Sequence, residues 1–194
     1  MTPEREQKIK QVIKHRQEGI IVLEDIHDPH NAAAIFRTAD AFGIQKICLI
    51  FEQEKRFNPK RVGSVSSASA SKWLDFEIFT STKKCLSVLK RRGYHIIATA
   101  LDKKAKDFRK INFTKPKTAL LLGNEHRGLS IKAQELAHET VYISMKGLVQ
   151  SLNLSVTAAI CLAELDRQRS KKMAKNRYFL SKTEQTKLFK KWLT

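Results

Sequence analysis

The sequence predicts an α/β protein: a mostly parallel sheet with helices on both faces and short helical extensions at the two termini. Three observations lead there. Short, strongly apolar runs recur at Ile20-Ile21-Val22-Leu23, Lys46-Ile47-Cys48-Leu49-Ile50-Phe51, around Phe76, Ile78 and Phe79, at Tyr94 to Ala100, at Thr118 to Leu122 and at Val141-Tyr142-Ile143. Most are separated by segments with helical spacing, the alternation expected of strands joined by crossover helices. Several are apolar throughout, as strands covered on both faces must be. At 194 residues the chain can bury one sizeable core. We therefore read residues 19–166 as one domain, with extensions over 1–18 and 167–194.

Each element has a local reason. Thr2-Pro3-Glu4-Arg5 supplies a hydroxyl cap, a proline for the first turn and an early acid, and Ile9, Val12 and Ile13 follow at helical spacing, which predicts a helix to about Gln17. The first strand, Ile20 to Leu23, ends in the polar, acidic stretch Glu24 to Pro29. From Asn31, the residues Ala34, Ile35, Thr38, Ala39 and Phe42 share a stripe that Gly43 closes, before the second strand. Glu52 to Lys72 contains the small-residue run Gly63 to Ser71, read as a functional loop with a short helix. Thr82 to Arg92 is amphipathic and ends at Gly93. Residues 101–117 read as a basic loop. A helix is expected from about Gln150 through Leu165, and Ser181-Lys182-Thr183-Glu184 has capping-box spacing before a final helix with Leu188, Phe189 and Trp192.

Charge narrows the partners. The chain holds 37 Lys and Arg against 19 Asp and Glu, a net charge of +18. Residues 83–117 carry twelve basic residues against two acids, and residues 166–194 ten against two. Such clustering favours a polyanion such as nucleic acid. Cys48, Cys85 and Cys161 are odd in number and have no metal-ligand spacing, which fits reduced thiols in the cytoplasm. The N-terminus is charged and no apolar run is long enough to cross a bilayer, so no membrane association is expected.

The stretch from Thr118 to Ala159 contains two apolar runs that end in polar, glycine-bearing loops, a pattern that places a ligand pocket beyond the carboxyl ends of strands. Gly123 and Gly128 have P-loop spacing, but Leu129-Ser130 stands where lysine and a hydroxyl are needed, which excludes a nucleoside triphosphatase. No GxGxxG follows a strand, and the glycine pair also suits an ordinary strand-to-helix turn. Asn31 is a natural helix cap. Arg37 lies six residues on, about 600° around a helix, and suits either a surface charge or a group facing the pocket. Ser151 and Asn153 read equally as a cap pair or as functional groups. His27, His30 and His126 form no metal-binding array.

In order along the chain, Asn31 to Gly43, Leu121 to Ser130, and Ile143 to Met145 through Val149 to Val156 resemble the three motifs of SpoU (TrmH-type) RNA 2′-O-methyltransferases of the SPOUT class. The resemblance spans about residues 20–165. The short N-terminal element and basic C-terminal extension are similar to the branch that methylates a guanosine ribose in the tRNA D-loop. The resemblance implies a homodimer with a deep C-terminal trefoil knot in which S-adenosylmethionine lies against Leu122, Gly123, Asn124, Ile143, Met145 and Leu152. It implies that Arg37 activates the ribose hydroxyl, that Asn31 and Glu125 shape the site, and that Ser151 and Asn153 position substrate or cofactor. No metal is implied. Arg5, Lys8, Arg127, Arg167, Arg169, Lys171 and Lys172 are the expected RNA contacts. A ribosomal-RNA methyltransferase and a non-catalytic RNA-binding protein of the same fold stand as alternatives.

Overall fold

A computed structural model of the chain describes residues 2–62, 70–102, 104–171 and 177–193. Its seven strands are β1 (Gln17–Glu24), β2 (Ile44–Ile50), β3 (Asp75–Phe79), β4 (His95–Thr99), β5 (Lys106–Asp107), β6 (Thr118–Leu122) and β7 (Glu139–Tyr142). They form one sheet in the order β3-β2-β1-β6-β4-β7-β5, and every neighbouring pair is parallel.

The apolar strand runs are explained by what covers them. Side chains alternate across a strand, so successive residues enter different layers. Ile21, Leu23, Ile47, Leu49, Leu120 and Leu122 meet α2 (Pro29–Ala41) and α6 (Leu154–Lys171) through Ile35, Phe36, Ala158 and Leu162. Ile20, Val22, Cys48, Ile50, Ala119 and Leu121 face the other way, onto Cys85, Leu86 and Leu89 of α4 (Thr82–Arg91) and Ala133 of α5 (Ile131–Leu136). A shift of one residue in register would exchange the two layers. The short α3 (Ala70–Trp73) lies before β3, and of the expected loop Gly63 to Ser71, residues 63–69 lie outside the described residues.

The terminal helices pack on each other. Ile9 and Ile13 of α1 (Pro3–Lys14) bury against Leu188 and Trp192 of α7 (Lys182–Leu193). Both caps follow the sequence: Thr2 Oγ1 accepts from Arg5 N at 3.3 Å, and Glu184 Oε2 accepts from Ser181 N at 3.1 Å while Ser181 Oγ accepts from Glu184 N at 3.3 Å.

Several expected boundaries move. Helix α1 ends before Gln17, because Gln17 N donates to Gly43 O at 2.7 Å and joins the sheet. Gly43 has φ +72°, and a Cβ there would stand 2.6 Å from His15 O, so glycine is needed for this turn. The segment expected to be a basic loop contains β5, paired with Val141 and Tyr142, and a 3-10 turn over Phe108–Lys110. Helix α6 starts at Leu154 instead of Gln150, because Asn153 Oδ1 accepts from Ser155 N at 2.8 Å and serves as its cap. It then runs to Lys171, with Arg169 and Lys171 in its last turn. Among the described residues, no helix is long and apolar enough to cross a membrane.

Arg169, expected at an RNA surface, is instead 4% exposed. Its guanidinium donates to the carbonyls of Phe113, Glu18, Lys115 and Pro116 and to Gln17 Oε1, at 2.7–3.3 Å. Burial pulls its pKa down to about 10, which still leaves it charged at neutral pH. With its donors facing inward onto carbonyls, the side chain ties α6 to the start of β1 and the loop before β6, and no phosphate reaches it. Arg169→Ala removes five hydrogen bonds to buried acceptors, of which Lys115 O and Pro116 O keep Thr118 as a donor, and should lower stability by about 3 kcal/mol in urea denaturation. A variant that loses RNA affinity at unchanged stability would restore the surface role.

Candidate active site

From β1 the chain moves outward through β2 and β3, then returns to build β4 and β6 on the other side, so the sheet's order reverses beside β1. Beyond the carboxyl ends at such a point, loops diverge and leave a crevice. Here it is a cleft of about 620 Å³. It is walled by Thr99 to Leu101 after β4, Gly123 to Leu129 after β6, residues from Val141 to Met145 around the end of β7, and Gln150 to Leu154 leading into α6.

Two acids at the end of β1 hold the surrounding loops in place. Glu24, buried, accepts from Thr82 Oγ1 at 2.5 Å, Ser130 Oγ at 2.8 Å and Ser130 N at 2.9 Å, which docks the starts of α4 and α5. Asp25 has φ 50°, a conformation rarely adopted by a residue with a side chain. Its Oδ1 accepts from the amides of Glu52, Gln53 and Glu54 at 2.7–3.1 Å, holding the loop after β2.

Gly123 is dictated by close approach. A Cβ on it would stand 2.4 Å from both Gly128 C and Leu129 N. This loop closes on itself through Asn124 N to Gly128 O at 3.0 Å and the reciprocal bond at 2.9 Å, with Gly128 at φ +67°. Asn124 completes the turn: Oδ1 accepts from His126 N and Arg127 N at 2.8 and 3.0 Å, while Nδ2 donates to Asp25 O at 2.6 Å. The backbone is thus held rigid where it borders the cleft.

A line of hydrogen bonds crosses the cleft wall. Glu125 accepts from His27 N at 2.8 Å, Asp28 N at 3.3 Å and Asn31 Nδ2 at 2.9 Å, which ties the loop after β6 to the start of α2. Asn31 Oδ1 in turn accepts from Asn153 Nδ2 at 3.1 Å. Three residues far apart in sequence therefore form one wall. At the mouth, Glu54 lies 2.8 Å from the Arg127 guanidinium and 3.2 Å from His27 Nδ1. The His27 bond, reinforced by Arg127, holds the Glu54 carboxyl below the usual carboxylate range.

Asn31, Gly123, Asn124, Glu125, Arg127, Ile143, Met145, Ser151, Leu152 and Asn153 all border this cleft. Leu122 does not, since its side chain lies in the core facing α2 and α6. Arg37 is exposed on α2, is not part of this cleft's wall, and has no ion-pair or hydrogen-bond partner among the described residues. Of the expected RNA contacts, Arg5, Lys8 and Lys171 are exposed, Arg167 is exposed but paired with Glu164 at 2.6 Å, and Lys172 lies outside the described residues. Sequence reasoning assigned no role to Glu24, Asp25 or Glu54. For the first two a signal existed, namely adjacent acids closing a wholly apolar strand, whereas Glu54 has no local mark.

Fold and site together define a parallel α/β protein with a preformed ligand cleft at the sheet's switch point. The chain belongs to the SpoU rRNA Methylase family, whose model matches residues 18–163. It is 37% identical to a tRNA (guanosine(18)-2′-O)-methyltransferase of Thermus thermophilus over 99% of this chain and 97% of that one. The crystal structure of the A. aeolicus TrmH/SpoU tRNA modifying enzyme superposes with a TM-score of 0.85 at 34% identity, covering 97% of this chain and 94% of that one. The SpoU methyltransferase AviRb from Streptomyces viridochromogenes, solved in complex with AdoMet, gives 0.69 at 28% identity over 82% of this chain and 61% of that one.

Gly123→Ala forces two backbone segments apart and should cost about 1–3 kcal/mol in chemical denaturation. An unchanged midpoint would show that the close approach is not a constraint.

Proposed function

We propose that the protein is an S-adenosylmethionine-dependent ribose 2′-O-methyltransferase that acts on a guanosine in the tRNA D-loop, in the cytoplasm. The observation that carries this reading is the hydrogen-bonded wall Glu125, Asn31 and Asn153, which unites all three motif segments around one cleft. The substrate class is supported by near end-to-end similarity to a tRNA enzyme.

The cleft suits the cofactor. Its volume of about 620 Å³ is in the range of small-molecule sites, and the loop from Gly123 to Gly128 on its wall is held by side-chain and backbone hydrogen bonds. Gly123, Asn124, Ile143, Met145 and Leu152 would hold it. When bound, S-adenosylmethionine supplies a methyl group activated by its sulfonium. Glu125 is occupied by three donors, so we assign it to positioning the wall, with Asn31 and Asn153 fixed by the same chain and Ser151 exposed at the rim.

The ribose oxygen attacks the methyl carbon as the carbon–sulfur bond breaks, and the hydroxyl proton must leave. A guanidinium keeps its own proton at neutral pH, so Arg37 acts by stabilising the developing oxyanion and clamping the adjacent phosphate, while the proton passes to phosphate or water. Arg37 is free among the described residues but outside its own cleft, which supports delivery of this side chain to the site by a second copy of the chain. Exposed apolar residues beside the cleft, Leu148 (fully exposed), Val149 (62%) and Val156 (44%), support a homodimer that covers them. Family membership supports the deep trefoil knot. Arg127, held by Glu54, and the exposed Arg5, Lys8, Arg167 and Lys171 supply phosphate contacts, with Lys172 a further candidate.

Methyl transfer from labelled S-adenosylmethionine to unmodified tRNA, with the 2′-O-methyl site mapped, tests the reading. Product in the D-loop, undiminished by EDTA, is expected, and methylation confined to ribosomal RNA would replace the substrate. Arg37→Lys should lower turnover by about 100-fold or more, because an ammonium cannot reproduce a bidentate clamp. Near-normal turnover would remove that role. Binding of tRNA should weaken steeply as salt rises.

A further inference from the structure

At the opposite end of β1 from the cleft lies a groove of about 950 Å³, bounded by α1, α7, Trp73 and the starts of β1 and β2. The chain has two tryptophans, Trp73 and Trp192, and both line this groove, with ring centroids 5.1 Å apart in edge contact. Arg16 stands 5.0 Å over the Trp192 ring. Two donors go unanswered among the described residues, Arg16 Nε and Trp192 Nε1, on side chains more than nine-tenths buried. The groove's acids are already engaged, Asp40 by Arg16 and Asp166 by the Gln17 amide. At the rim, Arg5 and Lys8 are exposed and pair with no carboxylate among the described residues, whereas Lys10 pairs with Glu6.

We propose that this groove takes an unstacked nucleobase, with its phosphate, from the same RNA that is methylated in the cleft. This rests on the RNA reading given above. Aromatic faces stack on any base, and the unpaired rim cations match the phosphate of the adjoining backbone. β1 is eight residues long, which separates groove from cleft by roughly 25 Å. The docked base is therefore not the methylated nucleotide. It is a remote anchor, so it governs affinity for folded tRNA and leaves the chemical step alone.

Both tryptophans lie at the groove and none borders the cleft, so intrinsic fluorescence reports on the groove separately from catalysis. Titrating the full chain with unmodified tRNA, and with guanosine 5′-monophosphate as a small probe, should quench this emission saturably. Val12→Glu puts an acid on an exposed groove residue, and should abolish quenching and raise the tRNA KM about ten-fold with kcat within about two-fold. The double variant Arg5→Ala, Lys8→Ala should raise KM in the same way with unchanged thermal unfolding. Methylation by the unaltered protein without quenching overturns the proposal, as does an unchanged KM in both variants. Dissociation of a dimer by Val12→Glu in sedimentation also overturns it, because the groove would then seat a second copy. Quenching without methylation would instead overturn the catalytic reading and leave the groove's role standing.

Discussion

The carboxyl end of β1 is where the rest of this structure is held together. Glu24 collects one hydroxyl from α4 and a hydroxyl and an amide from the start of α5, and Asp25 collects three consecutive amides from the loop after β2. Hydrogen bonds to ionised acceptors are stronger than neutral ones, and several on one carboxylate offset the cost of burying it. Asp25 adopts a left-handed backbone because these bonds over-determine it. Its carbonyl then accepts from Asn124, so the cleft's rigid loop is referenced to the centre of the sheet.

The side chains that anchor the cleft are distinct from the exposed cation of α2. Asn124 and Glu125 spend their hydrogen-bonding capacity on the protein itself, and fix backbone and the Asn31 amide in place. Arg37 does the opposite: it is exposed on α2 and unpaired among the described residues.

Positive charge likewise has more than one use. Arg16 and Arg169 are buried and bonded internally, Arg16 to Asp40 of α2 and Arg169 to Glu18 of β1. Arg92, Arg109 and Arg167 pair with carboxylates at the surface. Exposed pairs of this kind add little stability and can exchange partners readily. Net charge thus overstates the surface available to a polyanion, and Arg5 and Lys8 matter because nothing described neutralises them.

Local pattern alone determined much of this protein. Six of the seven strands, both terminal helix caps and the turn at Gly43 were legible, because hydrophobic period, capping and turn chemistry act over a few neighbouring positions, whereas the cleft's residues were marked out by the resemblance of three motifs. Strand β5 was not, since two polar residues become a strand only by pairing with β7. Nor were the roles of Glu24, Asp25 and Glu54, whose partners lie 27 to 106 residues away. Arg169 makes the same point: its sequence neighbourhood is that of a surface cation, and only the packing of α6 against β1 turned it inward. Periodicity is encoded in adjacent residues, but which charges meet is settled when distant segments close a low-dielectric interior around them.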